Sequence, residues 1–368
     1  MTLATRSSVM PTYVRADVTF VEGEGCRLID ADGRSYLDFA AGIAVVALGH
    51  RHPGPLAAAQ AQLDRLWHVS NLYWTEPMTR LADLLSERVD GAQAFFCNSG
   101  AEAIETAIKF ARKATGKPGI VSLEGSFHGR TTGALATTGQ PAKRERFEPL
   151  LPGVTFAQLN DVASLEAAVG PDTGLILVEP VQGEGGVNPA TPRFLAAAAA
   201  LAEANGALLC FDEVQTGVGR TGSFFAFERS GVKPDLVTLA KGLANGLPVG
   251  ALLATGDAFE PGDHASTFGG NPVVCAAACA VVEAVDDELL ANVRDRSAQL
   301  AEALPVRGAG LLLGIETAGP AAVAVAACLD AGLLVTSAGP TTLRLSPPLI
   351  VSPDEVVEAT SILQEVLS

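Results

Sequence analysis

The sequence predicts an α/β protein: a mainly parallel sheet covered by helices, with a second, smaller α/β domain. Three observations carry that expectation. From about residue 93 to 254, short apolar runs alternate with helix-period segments, the pattern of βαβ units. Two of those runs, Ala207–Phe211 and Leu236–Ala240, are short, mainly apolar and bounded by polar or turn residues, as buried parallel strands are. After about residue 256 the texture changes to two long helical stretches followed by short strands.

Taken in order, Cys26–Asp30 and Tyr36–Phe39 flank Asp32-Gly33, a hairpin signal. Residues 40–54 read as loop, and helices are expected near 55–66 and 77–88. The alternation then places strands at 93–97, 119–123, 154–159, 175–178, 207–211, 236–240 and 249–254, with helices at 100–115, 162–169 and 192–204. Beyond it come helices near 272–285 and 288–303, a strand at 310–315, a helix at 320–331, single strands at 333–337 and 342–345, and a last helix. Ser352-Pro353-Asp354-Glu355 opens that helix with a capping box and a proline in the first turn.

Composition narrows the function. Hydrophobic residues make up 48% and charged residues 18%, enough for a large core. The net charge of −16, from 25 basic and 41 acidic residues, argues against nucleic acid or an anionic membrane as partner. No apolar run reaches membrane-spanning length, and the start MTLATRSSVMP lacks a signal-peptide core, so a cytoplasmic location is expected. The cysteines at 26, 97, 210, 275, 279 and 328 form no C-x-x-C and mostly sit in apolar runs, which reads as buried free thiols. His50 and His52 have no third ligand nearby, so no metal site is expected.

The two central runs each stop at a charged residue, Asp212 and Lys241. Parallel neighbours put their C-terminal ends on one edge, where open α/β sheets bind ligands. An acid that pairs with a pyridinium nitrogen and an amine that bonds an aldehyde are the parts a pyridoxal phosphate (PLP) site requires. A structural ion pair is the alternative reading of those two residues alone. A second alternative lies beside them. Gly217, Gly219 and Gly222 spell GxGxxG, the dinucleotide fingerprint, but Ser223–Ser230 is too short for its crossover helix and the next strand ends in Lys241 rather than an acid.

Other strand exits carry chemistry too. Asn98-Ser99-Gly100-Ala101-Glu102 opens a helix, where free backbone N–H groups and the Ser99 hydroxyl could cradle a phosphate, or Ser99 could simply be the N-cap. Phe127-His128-Gly129-Arg130 offers an aromatic face and a carboxylate-binding guanidinium. Glu179-Pro180-Val181-Gln182-Gly183-Glu184 ends another strand; two acids in a loop are usually solvated, but these lie at the expected active edge. Arg344 is a charge inside an apolar strand, which normally has an acidic partner.

Together these blocks resemble the class III, fold-type-I PLP-dependent aminotransferases, and within them the acetylornithine-type members. The matching stretches are DFAAGIAVVALGHRHP, LWHVSNLYWTEP, NSGAEA, FHGRT, VEPVQGEGGV, FDEVQTGVGRTG, LAKGLANGLPVGA, STFGGNP and LRLSPPL, in the family's order across nearly the whole chain. The resemblance implies a large PLP-binding domain at 55–255 and a discontinuous small domain from 1–54 and 256–368. It implies that Lys241 bonds the cofactor aldehyde and later shuttles the proton, and that Asp212 pairs with the ring nitrogen. Gln215 contacts the ring hydroxyl, and Phe127 stacks on the ring with His128 beside it. Ser99, Gly100 and Ala101 hold the phosphate. Thr267 reaches the phosphate of a neighbouring subunit in a homodimer.

For substrate, the resemblance implies that Arg344 binds the carboxylate next to the reacting carbon of glutamate, that Glu184 pairs with Arg344 when that carboxylate is absent, that Arg130 grips the distal carboxylate, and that Ser266 is substrate-binding. The expected reaction is ping-pong exchange of an amino group between N2-acetylornithine and 2-oxoglutarate. Succinyldiaminopimelate, ornithine and 4-aminobutyrate are the rival substrates. An NAD-dependent oxidoreductase and a non-catalytic relative are the rivals of other classes. Residues 10–16 match the family's entry segment loosely and the stretch 138–153 is compact, both bearing on the substrate mouth.

Overall fold

Residues 8–368 are described by the computed structural model; residues 1–7, on which the readings of the N-terminal start and of the domain from residue 1 partly rest, lie outside the described residues. A seven-stranded sheet runs in the order Gln93–Cys97, Gly250–Ala254, Leu236–Leu239, Leu208–Asp212, Thr173–Val178, Gly119–Leu123, Val154–Ala157. Leu208–Asp212 pairs in parallel with both of its neighbours, and Asp212 stands opposite Thr238. Gly250–Ala254 is antiparallel to the strands on either side. Its link, 240–249, is shorter than the dozen or so residues a parallel crossover needs.

Alternation along the strands divides the core between the two faces. Leu209, Phe211, Ile176, Val178, Val237 and Leu239 pack on one side with Phe194, Leu195 and Ala198 of helix Pro192–Asn205. Cys210, Leu175, Leu177 and Leu236 pack on the other, under Ile104, Ala107, Ile108 and Ala111 of helix Gly100–Thr115. Those helical residues recur at three- and four-residue spacing, so they form one apolar stripe. Gly116, at φ 69°, ends that helix in the left-handed region. Helix Pro272–Ala284 also joins the first face, through Cys275, Ala278, Val281 and Val282.

A separate apolar cluster joins the two ends of the chain: Cys26, Leu37 and Phe39 pack with Val293, Leu313, Leu343, Val356 and Leu363. Two small sheets lie around it. One contains Phe20–Glu24, Arg27–Asp30, Ser35–Asp38 and Leu333–Leu334; the other contains Val306–Ala309, Leu312–Glu316, Thr342–Leu345 and Thr336–Ser337. The run 333–337 is therefore two strands rather than one. Leu333–Leu334 pairs with Ser35–Asp38, and Thr336–Ser337 pairs with Thr342–Leu345. Phe20–Glu24 and Val306–Ala309 are strands that the apolar pattern did not announce. All six cysteines are free and buried. Among the described residues no helix is long and apolar enough to cross a membrane, and no group of three or more His, Cys, Asp or Glu is placed to hold a metal ion.

Candidate active site

The C-terminal ends of the parallel strands open into a cavity of about 330 Å³, whose walls include Ser99, Gly100, Ala101, Phe127, His128, Glu179, Glu184, Asp212, Gln215 and Lys241. Sequence reasoning named all of these except Glu179 as site residues. Arg344 reaches the cavity through Glu184 and Gln215. Arg130, Ser266 and Thr267 lie outside this wall.

Asp212 is the last residue of its strand and is 4% exposed. Its Oδ1 accepts from the Val214 amide at 3.0 Å and the Thr238 hydroxyl at 3.2 Å, and its Oδ2 lies 2.6 Å from Nδ1 of His128. Three neighbours thus fix the carboxylate plane, and the strand register supplies Thr238. The other ring nitrogen of His128, Nε2, is buried without a partner, as is Nε2 of Gln215. A buried donor or acceptor left unpaired costs about 1–3 kcal/mol, so two of them in one cavity wall point to a polar occupant.

Lys241 begins a 3₁₀ turn at φ 37°. That is left-handed backbone for a residue with a Cβ, a strain that clusters at functional sites. Burial holds its amine down to about 8 from the usual 10.5; Glu184 and Asp212 pull it back up, and Arg344 pushes it further down. A lysine in that state keeps a neutral fraction near neutrality and can attack a carbonyl.

Ser99 caps helix Gly100–Thr115, its Oγ accepting from Glu102 N at 3.2 Å. The N-cap reading of Ser99 therefore holds, and it leaves the first helical amides, which have no intrahelical acceptor, free to meet an anion. A Cβ on Gly100 would lie 2.8 Å from Val214 Cγ1, so only glycine lets the helix start come this close to the strand-end loop.

Glu179 is 6% exposed rather than solvated. Its Oε2 accepts from Phe127 N at 3.0 Å, which fixes the aromatic over the cavity. Burial raises its pKa, and Asp212 nearby adds to the rise. The Phe127 ring carries two cations: Arg130 at 5.4 Å and Lys143 at 4.7 Å from its centroid. Lys143 escaped the sequence reading. Its only signal is a basic cluster, Lys143-Arg144-Glu145-Arg146, in the compact stretch 138–153.

Arg344, 1% exposed, donates from Nη1 to Gly183 O at 3.0 Å, to Gln215 Oε1 at 3.3 Å and to Glu184 Oε1 in a shorter contact, and from Nε to Thr336 Oγ1 at 3.0 Å. Burial works against the charge on Glu184, but Arg344 beside it, helped by Lys241 and Lys143, holds the carboxyl below its usual range. The acidic partner expected for a buried arginine is present. Ser266 is one hydrogen bond from the cavity wall, its Oγ 3.2 Å from Asn98 Nδ2. With the exposed Thr267 it lines a second cavity, of about 790 Å³, beside Asn71, Trp74 and Phe95. The GxGxxG stretch lacks a crossover helix and continues into a 3₁₀ turn, Ala226–Ser230. Added Cβ atoms would meet Glu213 O at 2.8 Å from Gly217 and Val285 Cγ1 at 3.0 Å from Gly219, so these glycines serve close packing.

A carboxylate with fixed orientation, an amine with depressed pKa, an open helix start and a buried arginine–carboxylate pair share this one cavity and its edge. The Aminotransferase class-III family matches residues 9–367, and the chain belongs to it. Among its relatives, the acetylornithine aminotransferase of Streptomyces coelicolor is 51% identical over 96% of this chain and 92% of its own length. That of Mycolicibacterium smegmatis is 48% identical over 100% and 98%. Among solved structures, N-acetylornithine aminotransferase from Stenotrophomonas maltophilia superposes with a TM-score of 0.84 at 37% identity, covering 95% of each chain. An ornithine aminotransferase from Toxoplasma gondii, described with partial occupancy of PLP at its active site, reaches 0.94 at 30% identity, covering 99% of this chain and 92% of its own.

Proposed function

We propose that this aminotransferase uses PLP and exchanges an amino group between N2-acetylornithine and 2-oxoglutarate, giving N-acetylglutamate 5-semialdehyde and glutamate for arginine biosynthesis. The observation that carries the reading is the Glu184–Arg344 pair at the edge of the cavity that also holds Asp212 and Lys241. Glutamate reacts at a carbon bearing a carboxylate; acetylornithine reacts at a terminal CH2 that has none. One site serves both if Arg344 takes the substrate carboxylate in one half-reaction and Glu184 in the other. An unpaired buried arginine would otherwise cost roughly 3–5 kcal/mol.

The orphaned nitrogens of His128 and Gln215, the fixed Asp212 and the helix start at Gly100 fit PLP. When bound, PLP supplies an aldehyde and an electron-withdrawing ring. Asp212, oriented by His128 and Thr238, keeps a proton on the ring nitrogen. Ser99, Gly100 and Ala101 would hold the phosphate, Gln215 would meet the ring hydroxyl and Phe127 would cover the ring face. Lys241 moves the proton at the substrate carbon, for which its depressed pKa suits it. Arg130 takes the distal carboxylate from the mouth.

The same proposal includes a cytoplasmic homodimer in which Thr267 completes the neighbouring site, and a substrate-binding role for Ser266. Exposed Leu72 and Trp74, which line the second cavity with Ser266 and Thr267, support a covered apolar face there. It also includes the division into a body at 55–255 and a second from 1–54 and 256–368, with Pro272–Ala284 packing back on the first. The ornithine reading draws on the higher TM-score, but backbone similarity is shared by enzymes of different substrates, so the higher identity to acetylornithine enzymes weighs more. Steady-state comparison of acetylornithine, ornithine and succinyldiaminopimelate as amino donors is the test. Acetylornithine should have the highest kcat/KM; an equal or higher value for unacylated ornithine overturns the substrate.

A further inference from the structure

Arg307 lies on strand Val306–Ala309, outside the cavity wall, and none of the roles above uses it. Its guanidinium is engaged just behind the Glu184–Arg344 pair. Nε donates to Gly186 O at 2.8 Å, Nη2 to Thr342 Oγ1 at 2.6 Å and Nη1 to Glu316 Oε2 at 3.0 Å. Gly186 stands two residues after Glu184 on the glycine loop. Thr342 stands two residues before Arg344 on strand Thr342–Leu345, so the two share a face of that strand. One rigid, planar fork therefore links the two backbone segments that present the members of the pair.

The fork has little slack. Glu316 is the register partner of Thr342, and the two side chains lie 3.3 Å apart, so two of its arms end on one strand pair. Gly186 has φ 110°, and a Cβ there would come within 3.4 Å of Arg307 Nη2 and 3.6 Å of Thr342 Oγ1. Val187, fully buried, anchors the loop beyond by packing, which leaves Arg307 as a polar link from the loop to the strand of Arg344.

We propose that Arg307 is a positioning residue that sets how readily Glu184 caps Arg344, and so how the site is divided between substrates with and without a carboxylate beside the reacting carbon. The inference rests on the capping reading given above. With the link intact, the Glu184 carboxylate starts in contact with Arg344, and an incoming carboxylate must displace it. Without the link the loop drifts, the cap weakens and Arg344 opens to carboxylate ligands. A residue that merely held the loop in the fold would affect both half-reactions alike.

The test uses the holoenzyme with glutarate, an unreactive dicarboxylate, whose binding is measured by calorimetry. Single-turnover rates with acetylornithine and with glutamate are followed by absorbance. Arg307→Ala should tighten glutarate roughly 3- to 10-fold and slow the acetylornithine half-reaction by a similar factor, the scale of one charge-assisted hydrogen bond. The glutamate half-reaction should change by no more than about twofold, and Arg307→Lys should fall between Arg307→Ala and the parent. Glu184→Gln should tighten glutarate too, and Arg307→Ala should add less than about twofold in that background. Thr342→Val, which removes the acceptor at one arm, serves where Arg307→Ala fails to fold. If Glu184→Gln shifts glutarate binding but the Arg307 variants do not, or shift it just as much without the Glu184 charge, the link is refuted and the capping reading stands. If Glu184→Gln leaves glutarate binding unchanged, both fall.

Discussion

Arg344 and Arg220 are buried to the same degree, 1% and 2% exposed, and both come from motifs visible in the sequence. Their surroundings differ in kind. Arg344 faces a carboxylate on a glycine loop beside a cavity. Arg220 donates from Nη1 to two backbone carbonyls, Leu311 at 3.0 Å and Pro347, while Nη2 has no partner; burial holds its pKa down to about 9. Leu311 N in turn donates to Arg220 O at 2.9 Å, so Arg220 is a seam between the turn after Asp212 and a small sheet. A carboxylate partner can be exchanged for a substrate's carboxylate, but a backbone carbonyl cannot. On the proposed function, what separates a binding arginine from a structural one is the partner, not the burial.

The sharpest way to break that comparison is to truncate both. Arg344→Ala should lower kcat/KM for glutamate by about 10²–10³-fold, corresponding to roughly 3–4 kcal/mol for a lost buried charge pair. Arg220→Ala should leave activity per folded molecule within about threefold. Its effect should appear in the urea midpoint instead, as a loss of roughly 3 kcal/mol from two stranded carbonyls and the void beside them. Similar activity losses in the two variants would erase the distinction.

Much of this architecture can be read before any coordinates exist. Asp212 and Lys241 stand out because each ends an otherwise apolar run, and a parallel sheet brings such ends together. Arg344 stands out as a charge inside an apolar strand. Helix Gly100–Thr115 matches its expected bounds because Ser99 and Gly116 mark both ends. Other features have no local signal. Val306–Ala309 contains a glycine and an arginine and earns its strand by pairing with Leu312–Glu316. The split at 333–337 is hidden because Leu333, Leu334 and Val335 read as one apolar run. The contact of His128 with Asp212 and the stacking of Lys143 on Phe127 depend on the path of residues 124–147, which is set by tertiary packing. Ser266 and Thr267 line a different cavity from Lys241 within one chain, a relation that spacing alone does not give.

Two titrations refine the comparison on a smaller scale. Glu213 belongs to the structural side: its carboxylate accepts from Phe227 N at 2.9 Å and from the Thr216 hydroxyl, yet burial pushes it up to about 7 from 4.5. The folded state then binds more protons than the unfolded state between those values. Its stability should therefore fall as pH rises through that window, by up to about 3 kcal/mol, and Glu213→Gln should flatten the fall. Urea midpoints at pH 5 and 8 measure it, and an unchanged slope in the variant would assign the fall to other groups.

Lys241 belongs to the binding side, and its charge state reports which arginine it feels. A lysine at about 8 is neutral in roughly one molecule in ten at pH 7, and only the neutral amine attacks an aldehyde. Uptake of PLP by the apo-protein, followed by absorbance, should rise roughly tenfold per pH unit up to about pH 7 and level off above about 8, well short of the 10.5 of an ordinary lysine. Burial is the main cause of that depression, and the nearby positive charge of Arg344 adds to it. Arg344→Ala should move the midpoint upward, the more so because it frees Glu184 to favour the charged amine, while Arg220→Ala should leave it in place. A midpoint that ignores both substitutions, or follows both equally, would mean that Lys241 senses only its burial and that the two arginines do not differ in reach.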